Sequence, residues 1–116
     1  MAIAEWEKSL GVKLPEDYKE LLRLTNGGEG FIGTNSYVVL WRIEELASMN
    51  RSYNVRQYAP GLILFGTNGG GEAYGFDTRG HQWLIVQVPF IGMSWDVAIV
   101  LGGTFNEFLN QLSESK

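Results

Sequence analysis

Cysteine is absent from this sequence, and histidine occurs once, at His81. The first absence excludes disulfides, a thiolate nucleophile and cysteine-bound zinc or iron–sulfur, and it suits a reducing compartment. The second leaves too little imidazole for a metal site, because no Asp or Glu stands at ligand spacing from His81. No Gly-x-Ser-x-Gly, His-Glu-x-x-His or calcium-loop pattern occurs. Long apolar runs are missing too, and no window approaches the roughly 18 residues of a membrane span. Glu5, Glu7 and Lys8 stand where a signal peptide needs an apolar stretch. Asn50-Arg51-Ser52 matches a glycosylation acceptor, which without a secretion signal is a chance match. The expectation is a cytosolic protein with no catalytic residue, metal or cofactor.

Basic residues are scarce as well. Lysine and arginine number 9 against 13 Asp and Glu, for a net charge of -4. An acidic surface disfavours direct contact with nucleic acid or anionic membrane and favours a basic partner. What is plentiful is glycine, 15 in 116 residues, which points to turns and bulges rather than a helix bundle. The length fits one domain over residues 1–116, with an ordinary core and no staples.

Ile3, Trp6 and Leu10 repeat at helical spacing before Gly11. A second helix opens with Pro15 at its first position and Glu16 and Asp17 in its first turn, where the dipole favours acids. Tyr18, Leu21, Leu22 and Thr25 make its stripe, and Asn26-Gly27-Gly28 ends it. Glu29 to Ser36 reads as a loop, Tyr37 to Trp41 as a strand, and Ile43 to about Tyr53 as a helix. Tyr53 to Ala59 has no clean period, and Pro60-Gly61 breaks the chain.

Leu62 to Phe65 is apolar on both faces, as a covered central strand is. Glu72 to Asp77 alternates, with Tyr74 and Phe76 opposite Ala73 and Gly75. Thr78 to His81 is a turn, Trp83 to Val88 a strand stopped by Pro89, and Ala98 to Leu101 a short last strand. Thr104 and Glu107 form a capping box ahead of Phe105, Phe108, Leu109 and Leu112. This order gives an α+β fold, helices packed on a mostly antiparallel sheet.

Two glycine motifs invite a phosphate reading and fail it. Gly28-x-Gly30-x-x-Gly33 follows a helix and leads into a strand, the reverse of a dinucleotide fold, and Glu29 would oppose phosphate. Gly66-Thr-Asn-Gly69-Gly70-Gly71-Glu72 lacks the P-loop lysine and ends on an acid, so it reads as a turn between paired strands, its glycines supplying positive φ. Trp6, Tyr18, Phe65, Phe76, Phe105 and Phe108 lie on core stripes. Trp83, Phe90 and Trp95 are harder to place; the expectation is core membership, with an interface anchor as the alternative because aromatics beside acids suit a protein interface.

Taken together, several motifs resemble the SUKH superfamily, also called the Smi/Knr family. They are Leu14-Pro15-x-Asp17-Tyr18-x-x-Leu21-Leu22, Thr25-Asn26-Gly27-Gly28, Leu64-Phe65-Gly66-x-x-Gly69-Gly70-Gly71-Glu72, Tyr74-Gly75-Phe76-Asp77 and Thr104-Phe105-x-x-Phe108-Leu109. The resemblance runs from Trp6 to Leu112 and implies a central, mostly antiparallel sheet flanked by N-terminal helices, a middle helix and a C-terminal helix. It further implies a non-enzymatic binding protein. Bacterial members resemble immunity proteins that neutralise a cognate toxin, often a nuclease, and fungal members are regulators of cell-wall synthesis acting through protein contacts. The family motifs fall on Asn26, Gly27, Gly28, Gly66, Gly69, Gly70 and Gly71 as structural positions.

The expectation is therefore an immunity protein masking a basic toxin domain, with a regulatory or scaffold module for an endogenous protein as the alternative. The candidate partner-binding residues are Glu29, Glu44, Glu45, Glu72, Asp96 and Trp95. Neither the oligomeric state nor the contacting surface follows from these residues.

Overall fold

The apolar spacing of the first 25 residues produces two helices joined by a buried ion pair. The structure is a computed structural model that describes residues 2–33 and 36–114, and the side chain of Leu10 lies outside that set. Helix α1 (Ala2–Leu10) buries Ile3 and Trp6, and Gly11 ends it at φ +69°, its N–H donating to the Glu7 carbonyl. Helix α2 (Glu16–Thr25) begins after Pro15, which is its extended N-cap (ψ 142°) rather than its first helical residue. Glu7 reaches across to accept from the Leu14 amide (2.7 Å) and the buried Lys19 ammonium (3.3 Å). Tyr18 and Leu22 are buried and Leu21 half-buried, while Thr25, expected on the same stripe, is exposed.

Six strands make one antiparallel sheet whose order in space is their order in sequence. They are β1 (Gly28–Ile32), β2 (Ser36–Leu40), β3 (Leu62–Thr67), β4 (Glu72–Asp77), β5 (Leu84–Pro89) and β6 (Ile99–Gly102). β1 corrects the expected loop from Glu29 to Ser36, of which Thr34 and Asn35 lie outside the described residues. Its Gly-Glu-Gly-Phe-Ile sequence has weak strand propensity, and its pairing with β2 overrides that, Glu29 opposite Val39 and Phe31 opposite Tyr37. β3 and β4 occupy the middle of the sheet and are buried on both faces: Ala73 and Leu64 are fully buried on one side, Tyr74 and Phe76 on the other.

Helices α3 (Ile43–Ser52) and α4 (Val55–Tyr58) fill the long connection between β2 and β3, and α4 supplies the order that the Tyr53-to-Ala59 sequence did not display. A 3₁₀ turn at Trp95–Val97 lies within the irregular stretch before β6, and α5 (Phe105–Glu114) closes the chain. α5 runs diagonally over the sheet. Its first turn backs on Gly102, where a β-carbon would stand 2.8 Å from the Glu107 β-carbon. Its last turn accepts the Ser36 hydroxyl at the Leu112 carbonyl (2.7 Å).

Between α5, α2 and the sheet lies an aromatic layer. A β-bulge leaves Phe65 without a register partner on β4 and turns its ring into this layer. The Phe65 ring stands 4.7 Å from Phe76, 5.5 Å from Tyr18 and 5.4 Å from Phe108, centroid to centroid. Gly66 follows because a β-carbon there would lie 2.4 Å from the Val39 carbonyl oxygen. The helix starts are tied together by one acid. Asp17 accepts from the Tyr18 amide (2.8 Å) on its own helix and from the Phe105 amide (2.7 Å) of α5. The expected Thr104–Glu107 box is shifted accordingly. Thr104 accepts from the Glu107 amide, and Glu107 accepts from Gly103 instead of Thr104.

β2 pairs with β3 only at Val39–Thr67 and Leu40–Gly66 before the chain turns away. The free edge of β3 is closed by a side chain. Asn50 of α3 accepts from the Leu64 N–H (2.8 Å) and donates to the Leu64 C=O (3.0 Å) and the Leu46 C=O (2.8 Å). Replacing Asn50 with Ala orphans both main-chain groups of Leu64, and a stability loss of about 2–3 kcal/mol is expected. Urea unfolding measures it as a lower midpoint at unchanged slope, and a loss below about 0.5 kcal/mol would show the edge is satisfied another way. Tyr18→Phe has the opposite expectation. The Tyr18 hydroxyl is buried without a hydrogen-bond partner, so its removal is neutral or stabilising by up to about 1 kcal/mol.

Candidate functional site

The turn between β3 and β4 is built by Thr67 and Asn68, not by glycine freedom alone. Asn68 Oδ1 accepts from the amides of Gly70 (2.8 Å) and Glu72 (3.2 Å), and Thr67 Oγ1 accepts from Gly69 (3.2 Å). Of the three consecutive glycines only Gly69 has positive φ (+83°), which corrects the expectation that all of them supply it. Three amides of the turn are thus engaged internally, and an anion meets none of them free. The turn itself is exposed.

On one flank of this turn, Tyr37 of β2 lies so close that a β-carbon on Gly69 would come within 3.0 Å of its ring. Phe31 of β1, two-thirds exposed, stacks edge-on against Tyr37 at 5.1 Å. The Tyr37 hydroxyl donates to Glu29, and that bond pushes the phenol pKa up. On the other flank, the Phe90 N–H donates to the Gly71 carbonyl (2.9 Å). Phe90 stacks on Tyr53, at the end of α3, with ring centroids 4.4 Å apart, and Ile91 beside them is 93% exposed. Glu72, half-buried, accepts from Gln87 Nε2 at 3.1 Å. Each flank therefore carries two aromatic rings and one carboxylate.

The other expected residues sit elsewhere. Glu44 and Glu45 begin α3, beside the Asn26-Gly27-Gly28 end of α2. Asn26 takes the left-handed conformation (φ 35°), accepts from the Ile43 amide (2.9 Å) and donates to Glu44 (2.9 Å), which lowers the Glu44 pKa. Gly27 is tight, since a β-carbon would meet Arg42 Cγ at 2.8 Å. Glu45 accepts from the Arg42 amide (3.0 Å) and faces the Arg42 guanidinium at 3.7 Å. Trp95 donates to the Pro60 carbonyl (2.9 Å) and lies under the Arg79 guanidinium, 3.5 Å from its ring centroid. Asp96 is exposed next to it. That cluster is at the far end of β4 from the glycine turn.

Charge separates these acids. Glu45 has Arg42 and Asp77 has Arg79, whereas Glu29 and Glu72 are positioned by neutral donors, Tyr37 and Gln87. Among the described residues neither Glu29 nor Glu72 forms an ion pair, so neither has a countercharge beside the exposed apolar surface. Phe31, Tyr37 and Tyr53 were not readable as part of a site, because strand register brings the first two to the turn and the docking of α3 brings the third. Phe90, hard to place from sequence, packs partly against the core.

Among the described residues, no group of three or more His, Asp or Glu could hold a metal ion, and no helix is long and apolar enough to cross a membrane. The profile of the SMI1 / KNR4 family (SUKH-1) matches residues 1–111. No curated protein matches the chain.

The Asp77–Arg79 pair carries a pH signature. The Arg79 guanidinium, bonded to both Asp77 oxygens at 3.0 Å, holds the Asp77 pKa below its ordinary value. A depressed carboxylate stabilises the fold fully above its unfolded pKa of about 3.9, and the contribution is lost as pH falls through the lower folded value. Asp77→Asn should therefore lose stability at neutral pH and show a shallower decline in acid, measured by urea unfolding across pH. An unchanged acid limb would mean the pair does not couple to folding.

Proposed function

The chain belongs to the SMI1 / KNR4 family (SUKH-1), and from that membership we propose that it is a non-enzymatic protein-binding domain, an immunity protein that neutralises a basic toxin domain. The observation that carries this reading is the surface around the glycine turn. Two uncompensated carboxylates, Glu29 and Glu72, stand among exposed Phe31, Tyr53 and Ile91 on an acidic protein. Exposed aromatic rings give an interface its anchors, and acids at their side attract a cationic partner and exclude an acidic one.

Inhibition on this reading is steric. The domain covers a basic, substrate-binding face of the toxin, and Glu29 and Glu72 replace the anionic substrate for which that face is charged. Glu29, Phe31 and Glu72 stand on paired strands, which lowers the ordering cost of association. A reading frame for a toxin beside this one in its genome supplies the partner for the test.

Glu29→Lys and Glu72→Lys together should slow association with that toxin domain by about tenfold at low salt and flatten its salt dependence. Glu45→Lys, at an acid already paired, should change the rate far less. Stopped-flow or surface-plasmon kinetics at several salt concentrations give both quantities. Equal rates for both variants and the parent would remove the electrostatic part of the reading.

A further inference from the structure

Strand β2 has left the sheet before β3 begins at Leu62, and the space beside that end of β3 is only partly filled. Asn50 closes the edge at Leu64, and beyond it lies a groove of about 780 Å³ bordered by α3, α4, the start of β3 and Trp6 of α1. Its floor includes the buried Trp6, Leu46 and Leu62. Its lining also holds Arg51, from the last turn of α3, and Arg56 of α4, both exposed. On a chain of net charge -4, no Asp or Glu among the described residues lines this groove. Arg42 and Arg79 each have a carboxylate partner, whereas among the described residues Arg51 and Arg56 form no ion pair.

We propose that this groove binds an amphipathic anion, a carboxylate carrying an aliphatic chain. Its size is that of a small-molecule site, since such pockets run to roughly 300–1,000 Å³ and are mostly apolar with a few polar groups. The two arginines set the sign of the ligand, and a guanidinium offers the fork of donors that a carboxylate accepts. The floor sets the rest of it. A compact anion such as phosphate would leave the Trp6, Leu46 and Leu62 surface uncovered, whereas an aliphatic chain removes that surface from water. The methylene stems of the arginines add apolar contact along the chain. A free acyl carboxylate is favoured over a membrane lipid because the floor is recessed between α1, α3 and β3, so the chain must enter the protein. The groove is at the end of β3 away from the glycine turn and attracts the opposite charge, so it stands apart from the toxin-binding reading.

The test uses the full chain, labelled with ¹⁵N and titrated with three compounds that share one tail, octanoate, octanol and octyltrimethylammonium, each kept below the concentration at which it aggregates. The expected result is saturable shifts of the Ala47, Arg51, Val55 and Ile63 amides with octanoate, binding about tenfold weaker with octanol, and none with the cation. Arg51→Gln combined with Arg56→Gln, both at exposed positions, should lower octanoate affinity by about tenfold, to the level of octanol. The same variant should keep the parent's melting temperature and its affinity for octanol, which separates a lost charge from a damaged fold. Equal affinity for octanoate and octanol would leave an apolar groove with no anion site. Shifts that centre outside the groove, that survive in the arginine variant, or that never saturate each overturn the proposal. So does silence with octanoate when the parent sediments with phosphatidylglycerol vesicles and the variant does not, since the arginines would then face a membrane surface.

Discussion

One amide side chain holds the middle of this molecule to its longest connection. Strand β2 leaves β3 after two register pairs, which strands the main chain of Leu64 at an open sheet edge inside the core. Burying an N–H and a C=O unpaired would cost several kcal/mol. Asn50 presents a donor and an acceptor in the spacing of a peptide group and completes the ladder where a strand is missing. The position of α3 follows from that bond, and Tyr53, just beyond the helix end, is set against Phe90. The Tyr53–Phe90 stack thus depends on an interaction at the far edge of β3.

The same economy of polar partners sorts the charges. Lys19 is buried between Glu7 and Glu16, Arg42 lies by Glu45, and Arg79 is clasped by Asp77. The Lys19 pairs join α1 to α2, and the other two are local to the start of α3 and to the β4–β5 turn. Glu29 and Glu72 are held just as firmly by hydroxyl and amide donors that cancel no charge. An excess of four acids over bases is therefore not smeared over the surface. Part of it is concentrated at one end of the sheet, beside partly exposed aromatic rings.

Much of this was legible in the residues. The Leu62–Asp77 hairpin, the α2 stripe ending on Asn26 and the core aromatics all follow from periods of two or 3.6 and from turn chemistry. The misses share one physical cause, a partner that the local pattern does not name. Gly28–Ile32 has the composition of a loop and is a strand because β2 lies beside it. Asp17 looks like a dipole residue of its own helix, yet it also caps a helix 88 positions later. Asn50 lies on a helix face shared with Leu46, and nothing local says that its partner is the backbone of β3. Glu29 and Glu72 looked like two among several acids until register placed Tyr37 and Gln87 beside them.

The succession of the strands has a consequence for how the chain is made. Each strand pairs with its neighbour in sequence, so the ladder can extend as the chain leaves the ribosome, each addition closing only a modest loop. Tyr18 cannot complete its packing on that schedule. Its ring neighbours include Phe105, and its helix is tied to α5 through Asp17, so the second helix waits for a segment synthesised 88 residues later. Until then one face of a nearly complete sheet displays Phe65 and Phe76 to water, and the nascent domain is most adhesive just before it is finished.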